Sequence, residues 1–259
     1  MSRAFGMASR VVSTSRRVET ESATRQFNQV WQVHSGLRIP TTSECYLRDV
    51  REWSAVDAMV SAFRHMEKAP NHHAEASWVA ASGKAELYVR DRLGAALASR
   101  HPKLTVAREW NKHDLAVLDA NLHPLTIVEG KHLYDFDLLV PNLRARYKRA
   151  IKKDCDKLKG RKSDQPLISL LMTSLRGSVP ADLARVVKYA PGSNRKFKEF
   201  GKEVMPMAVK EARVLLGEIG SVVHERELAV GHCFGIDVHL WVWLAEPGKP
   251  RGGSRRKRR

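Results

Sequence analysis

Cysteine is scarce in this sequence. The three that occur, Cys45, Cys155 and Cys233, lie far apart and form no CxxC pair. So scattered and odd a set speaks against a disulfide framework and against a thiolate zinc site, and it suits a reducing cytosol, the expected location. Long apolar runs are missing too: no stretch reaches the ~18 residues of a membrane span, and no membrane partner is expected. The opening MSRAFGMASRVVSTSRR has no apolar core of the length a secretory signal needs, although its freedom from acids up to Glu19 is also the look of an organellar presequence. Acidic residues are in short supply, 28 against 45 Lys and Arg, which leaves a formal charge of +17. That excess favours a polyanionic partner, because cations placed against phosphates release condensed counterions; nucleic acid is the expected one. There is no GxxxxGK[ST] loop, which argues against an ATP-driven motor, and no GxSxG nucleophile elbow.

What is present is the material of one sizeable domain: 259 residues, 43% of them hydrophobic, with no internal repeat. Residues 1–25 read as a disordered basic segment and 26–74 as a helical extension, with one amphipathic helix from Ser54 to Met66. A domain is expected over 75–246, followed by a disordered cationic tail, 247–259. Within the domain, apolar residues recur at helical spacing over 75–100. Short strands follow at Leu104–Trp110, Asp114–Asp119 and Leu125–Lys131. Residues 143–160 return to a helix with Gly160 at its end, and PLISLLMTS, 166–174, is a continuous apolar run of the kind a buried strand carries. Segments 181–190 and 203–217 read as helical, and the second half of Cys233–Ala245 as a strand. The expected fold is therefore mixed α/β: helix, three strands, helix, strand, then mostly helical additions.

The chemistry concentrates where the second and third strands meet. If they form a hairpin with Asp119 opposite Pro124, then Ala116 faces Ile127 and Asp114 faces Glu129. Directly opposed residues share a face about 5 Å apart, and two carboxylates so placed repel. A divalent cation would offset this, and Mg²⁺, with Mn²⁺ as its substitute, takes hard oxygen ligands of this type. Asp114, Glu129 and the carbonyl of Gly130 are the candidate metal ligands. Lys131, two residues past Glu129, shares its face and can orient an attacking water or meet charge developing on phosphorus. A slip of one residue would separate the two carboxylates, and a bare E-x-K tripeptide would otherwise be an ordinary surface charge pair.

Four pieces in order, KAELYVRDRLGAAL, HDLAVLDANLHPLTIVEGK over 113–131, RYKRAIKKDCDKLKG and PLISLLMTS, resemble the PD-(D/E)xK nuclease superfamily, whose core is restriction-endonuclease-like. The resemblance covers about 84–175, roughly a third of the chain. The Pro of the family's name is replaced by His113. The resemblance implies a Mg²⁺-dependent nuclease, of DNA rather than RNA, with Asp114 and Glu129 holding metal and Lys131 catalytic. It further implies that Glu86 is the acid many members carry on the first helix, and that Asp154 opens a structural pattern. A homodimer would suit double-strand cutting. Sequence specificity and endo- or exonucleolytic cutting stay open.

The helix at 143–160 adds a nucleic-acid surface. Its apolar stripe is flanked by Arg144, Lys148 and Lys152 on one side and by Arg146, Arg149, Lys153 and Lys157 on the other. His72, His73, His224, His232, Cys233 and His239 lack zinc-ligand spacing and read as loop or core residues. Trp241 and Trp243 share a strand face and read as core. The rival to a nuclease is a non-catalytic nucleic-acid-binding protein of the same fold with a vestigial site; an interaction module for an acidic protein is a third reading.

Overall fold

The computed structural model describes residues 53–160 and 163–248. The expectations for 1–25, for 26–52 and for the tail from 249 onward fall outside them. The described chain runs α1 (Ala55–Glu67), α2 (His72–Ser82), α3 (Ala85–Arg100), β1 (Thr105–Trp110), β2 (His113–Leu118), β3 (Pro124–Tyr134), α4 (Asp135–Leu139), α5 (Pro141–Lys159), β4 (Leu167–Arg176), α6 (Ala190–Phe200), α7 (Val204–Gly217), β5 (Gly220–Cys233) and β6 (Ile236–Pro247). The mixed α/β class, and the order helix, three strands, helix, strand through β4, are as expected.

Six strands form one mixed sheet in the order β1-β2-β3-β4-β6-β5. Only β3 and β4 run parallel, joined through α4 and α5; every other pairing is antiparallel. Helices cover both faces. On one, α1, α2 and α3 pack over Leu115, Val117, Val128, Leu171, Leu240 and Val242. On the other, α5 and α7 pack over Ile127, Leu133, Leu170, Met172 and Trp243. This double burial explains why PLISLLMTS is apolar without alternation: β4 is central, with a helical layer on each side. The helix at α1 belongs to the same core as α3, and α2 runs through position 75, so the expected boundary there falls inside a helix.

Three further differences have local causes. The helix expected over 75–100 is two, broken at Gly83, whose backbone leaves the helical region (φ −139°, ψ −147°). A mid-helix glycine costs about 1 kcal/mol relative to alanine, so the break is inexpensive. Residues 181–189 form successive turns rather than a helix, and the helix lies one step later, in α6. Pro191 and Gly192 suggest a breaker, yet Pro is well tolerated in a first helical turn, where its missing N–H has no partner to lose. Finally, the C-terminal addition is a β5–β6 hairpin, turning through Phe234 and Gly235, both at positive φ, as a type I′ turn requires. The sequence of β5, GSVVHERELAVGHC, hides its strand: it lies at the sheet edge, carries charges, and breaks register twice.

The β2–β3 hairpin has the expected central register, Ala116 opposite Ile127 and Leu115 opposite Val128. Its loop end differs. An irregularity between Val117 and Leu118 puts Leu118, not Asp119, opposite Pro124. Asp119 instead accepts the N–H groups of Asn121 and His123, each at 2.8 Å, in an Asx-type turn.

Candidate functional site

At the open end of this hairpin the regular ladder lapses. β1 and β2 join through Asn111 and Lys112, both at positive φ, in a two-residue turn, and Glu109 is at positive φ as well. The pairing passes from Arg108–Leu115 to Trp110–His113, without a Glu109–Asp114 step, and on the other side it stops at Leu115–Val128. Asp114 therefore stands where the ladder to β1 skips a step and the ladder to β3 has ended. Its Oδ2 accepts the N–H of Gly130 at 2.7 Å, taking the place of a ladder partner.

Glu86 arrives from the opposite direction. The break at Gly83 restarts the chain as α3, and Glu86 lies in the first turn, where the helix dipole favours an acid. Its carboxylate reaches the face of Gly130: a methyl group built there would lie 3.4 Å from Glu86 Oε1 and 3.5 Å from Asp114 Oδ2. A side chain on residue 130 would occupy the space that these two carboxylates share. Burial raises the pKa of Glu86, and the charge of Asp114 raises it further, against the pull of Lys131.

Lys131 projects on the α5 side. Its Nζ donates to the carbonyl of Gly130 at 3.1 Å and pairs with Asp154 Oδ2 of α5 at 2.7 Å. Burial works against its charge, but Asp154, Glu86 and Asp114 together outweigh burial and raise its pKa above the ordinary lysine value. The ammonium stays protonated, so it can donate and stabilise negative charge rather than accept a proton.

Glu129 is placed differently from the expectation. Only 3% exposed, it is held by His113 Nδ1 and by the Nζ of Lys157, which also bonds the Lys112 carbonyl. The structure thus gathers Glu86, Asp114, Gly130 and Lys131, and ties Glu129 to two partners of its own, the Lys157 ammonium and the His113 ring. Among the described residues, no group of three or more His, Cys, Asp and Glu side chains is arranged to hold a metal ion together. The repulsion argued from sequence is relieved here by the Gly130 amide for Asp114 and by Lys157 and His113 for Glu129. Lys157 was visible as part of the basic flank, but its role as Glu129's partner was not. The inward position of His113 gave no sequence signal, since strand alternation alone does not report the lapse of the ladder.

The basic helix divides. Arg144 and Lys148 pair with Glu211 and Glu218, both from the α7 side, at 2.5 and 2.7 Å. Arg146 lies over the Tyr147 ring, 5.6 Å from its centroid. Arg149, Lys152 and Lys153 are exposed, and among the described residues they form no ion pair. Of the histidines set aside, His232 pairs with Asp237 at 2.9 Å and His239 with Glu227. Trp243 is fully buried and stacks on Trp241 with ring centroids 5.9 Å apart, as core packing requires.

No family model, curated protein or solved structure matches this chain. Among the described residues, no helix is long and apolar enough to cross a membrane.

Proposed function

We propose that the chain is a metal-dependent nuclease of the PD-(D/E)xK type, hydrolysing phosphodiester bonds of nucleic acid, DNA in the first instance. The observation that carries this reading is the convergence of Glu86 and Asp114 on the bare face of Gly130, with the Lys131 ammonium beside them. Two carboxylates crowded on a glycine, one with its pKa raised by burial and by the other's charge, form a donor set that suits a hard divalent cation. Glu86, Asp114 and the Gly130 carbonyl would hold Mg²⁺ or Mn²⁺, with Glu129 joining them if its ties to His113 and Lys157 loosen. When bound, the cation would supply Lewis acidity toward the phosphoryl oxygen and the attacking water. Lys131, paired with Asp154, would meet the negative charge that develops on phosphorus. The exposed Arg149, Lys152 and Lys153 offer phosphate contacts on α5.

The rival, a nucleic-acid binder with a vestigial site, draws on the neutralisation of Glu129 by Lys157. Cleavage decides between them. The wild type should cut DNA with Mg²⁺ or Mn²⁺ and not with EDTA. Asp114→Asn and Lys131→Ala should each lower the rate at least about 100-fold. Mg²⁺ at a hundredfold excess over Kd should stabilise the wild type by about 2.7 kcal/mol, roughly 5–10 °C in Tm at this size, and Asp114→Asn should lose that gain. Salt-sensitive binding in all three proteins without cleavage or metal-induced stabilisation would establish the rival.

A further inference from the structure

Beyond the acid cluster, the same strand leads to an exposed aromatic ring. On β3, Gly130, His132 and Tyr134 share the face turned toward α2 and α3. The rings of His132 and Tyr134 lie 5.1 Å apart, and Tyr134 meets Tyr189 edge-on at 5.2 Å. Tyr189 is 55% exposed. It stands at the start of α6 in the left-handed region (φ 59°), an uncommon place for a tyrosine and a form of local strain that tends to persist where function requires it. Its surroundings are fixed. Phe136 packs edge-on to it at 6.4 Å, and Gly192 permits this, since a Cβ there would fall 3.1 Å from the Phe136 ring. The N–H of Lys188 donates to the Ala81 carbonyl at 2.7 Å, tying the segment to the end of α2. The ammonium of Lys188 lies 5.2 Å from the centre of the Tyr189 ring. One turn before Ala81, Trp78 is 56% exposed.

We infer that Tyr189, with Lys188, is a stacking platform for an unpaired base of a single-stranded nucleic-acid segment whose backbone passes the Glu86–Asp114–Lys131 cluster. The inference rests on the proposed reading of that cluster. Gly130 and Tyr134 are about 13 Å apart along the strand, so the platform lies a short run of nucleotides from the carboxylates. A rigid, exposed ring with a cation at its face matches a nucleotide in both parts, the ring to the base and the ammonium to the phosphate. The strongly basic chain makes a polyanion the fitting occupant.

The test is binding in EDTA, which separates it from hydrolysis. Fluorescein-labelled oligo(dT), oligo(U) and a DNA duplex of equal length are titrated with the wild type, Tyr189→Ala and Tyr189→Phe, each checked by thermal melting. Oligo(dT) carrying 5-iododeoxyuridine is also irradiated and the cross-link mapped. Tyr189→Ala should weaken single-strand binding by about 5- to 150-fold, the value of one stacked base, and leave duplex binding unchanged. Tyr189→Phe should bind like the wild type, and the cross-link should fall on Tyr189; oligo(dT) against oligo(U) reads which sugar is preferred. Unchanged binding in Tyr189→Ala, an equal loss on duplex, a cross-link only elsewhere, or no single-strand binding by the wild type overturns the inference. Single-strand binding through Tyr189 without cleavage under any metal would leave the platform standing and end the hydrolytic reading.

Discussion

At the scale of single residues, two titratable groups packed against β4, Asp135 at the start of α4 and His132 on β3, have opposite effects on stability. Asp135 is 1% exposed; its carboxylate accepts from Ser174 Oγ at 2.6 Å and from the Phe136 N–H at 2.7 Å. Burial nevertheless pushes its pKa up to about 7, helped by Asp137. His132, with Nε2 2.8 Å from Thr173 Oγ1, is pushed down to about 4 by burial and by Lys188. Where folded Asp135 keeps a proton that the unfolded chain has released, stability falls as pH rises from about 4 to about 7. Where folded His132 lacks a proton that the unfolded chain holds, stability falls as pH drops from about 6.5 to about 4. The two slopes oppose one another over nearly the same range. Asp135→Asn should therefore gain stability relative to the wild type as pH rises across this window, and His132→Asn should gain it as pH falls. Urea denaturation at a series of pH values reads both differences; parallel curves for wild type and variant would remove the group concerned from the balance.

At the scale of elements, close approaches decide more than propensities do. Helix α2 lies on β5 so closely that a Cβ on Gly231 would fall 2.3 Å from Ser77 Oγ and 2.9 Å from the His73 carbonyl oxygen. Gly231→Ala must push the helix off the strand, a loss of about 1–3 kcal/mol, whereas Gly217→Ala meets nothing within 4 Å and should be nearly neutral. Equal midpoints for the two in urea would mean that α2 shifts freely. Such contacts also mark what was legible in the sequence. β2, β3 and β4 could be read because their apolar patterns reflect burial on a sheet face, and Ala116 opposite Ile127 followed from alternation. The approach of Asp114 to Gly130, and of Lys131 to Asp154, followed only in part: Asp154 stood out by resemblance, not by spacing. β5 could not be read, because an edge strand with charges and two register breaks lacks the period that identifies a strand. Nor could the attachment of Glu129 to Lys157 and His113, because it depends on where β2 leaves the ladder. The restart at Gly83, which aims Glu86 at the site, is likewise a tertiary choice that helical periodicity hides.

At the scale of the whole molecule, the charge of +17 acts through position as well as amount. On α5, Arg144 and Lys148 are spent on Glu211 and Glu218, and these pairs tie α5 to the α7 side. Arg149 and Lys153, one turn apart on the exposed face and without such partners, can release counterions to a phosphate backbone. Each phosphate contact contributes about 0.9 to the slope of log K against log salt on duplex DNA, and about 0.7 on single strands. The double variant Arg149→Ala/Lys153→Ala should therefore flatten that slope by about 1.8 on duplex and about 1.4 on single strands, with little change in melting. Arg144→Ala/Lys148→Ala should leave the slope near the wild-type value and lower stability by no more than about 1 kcal/mol per pair, the usual limit for exposed ion pairs. Fluorescence anisotropy at a series of salt concentrations separates the two. If both variants flatten the slope alike, the pairs with Glu211 and Glu218 yield to phosphate, and nucleic acid binds across the whole helix. If neither does, α5 faces away from the nucleic acid, and the path past Glu86, Asp114 and Lys131 must run along β3 toward Tyr189.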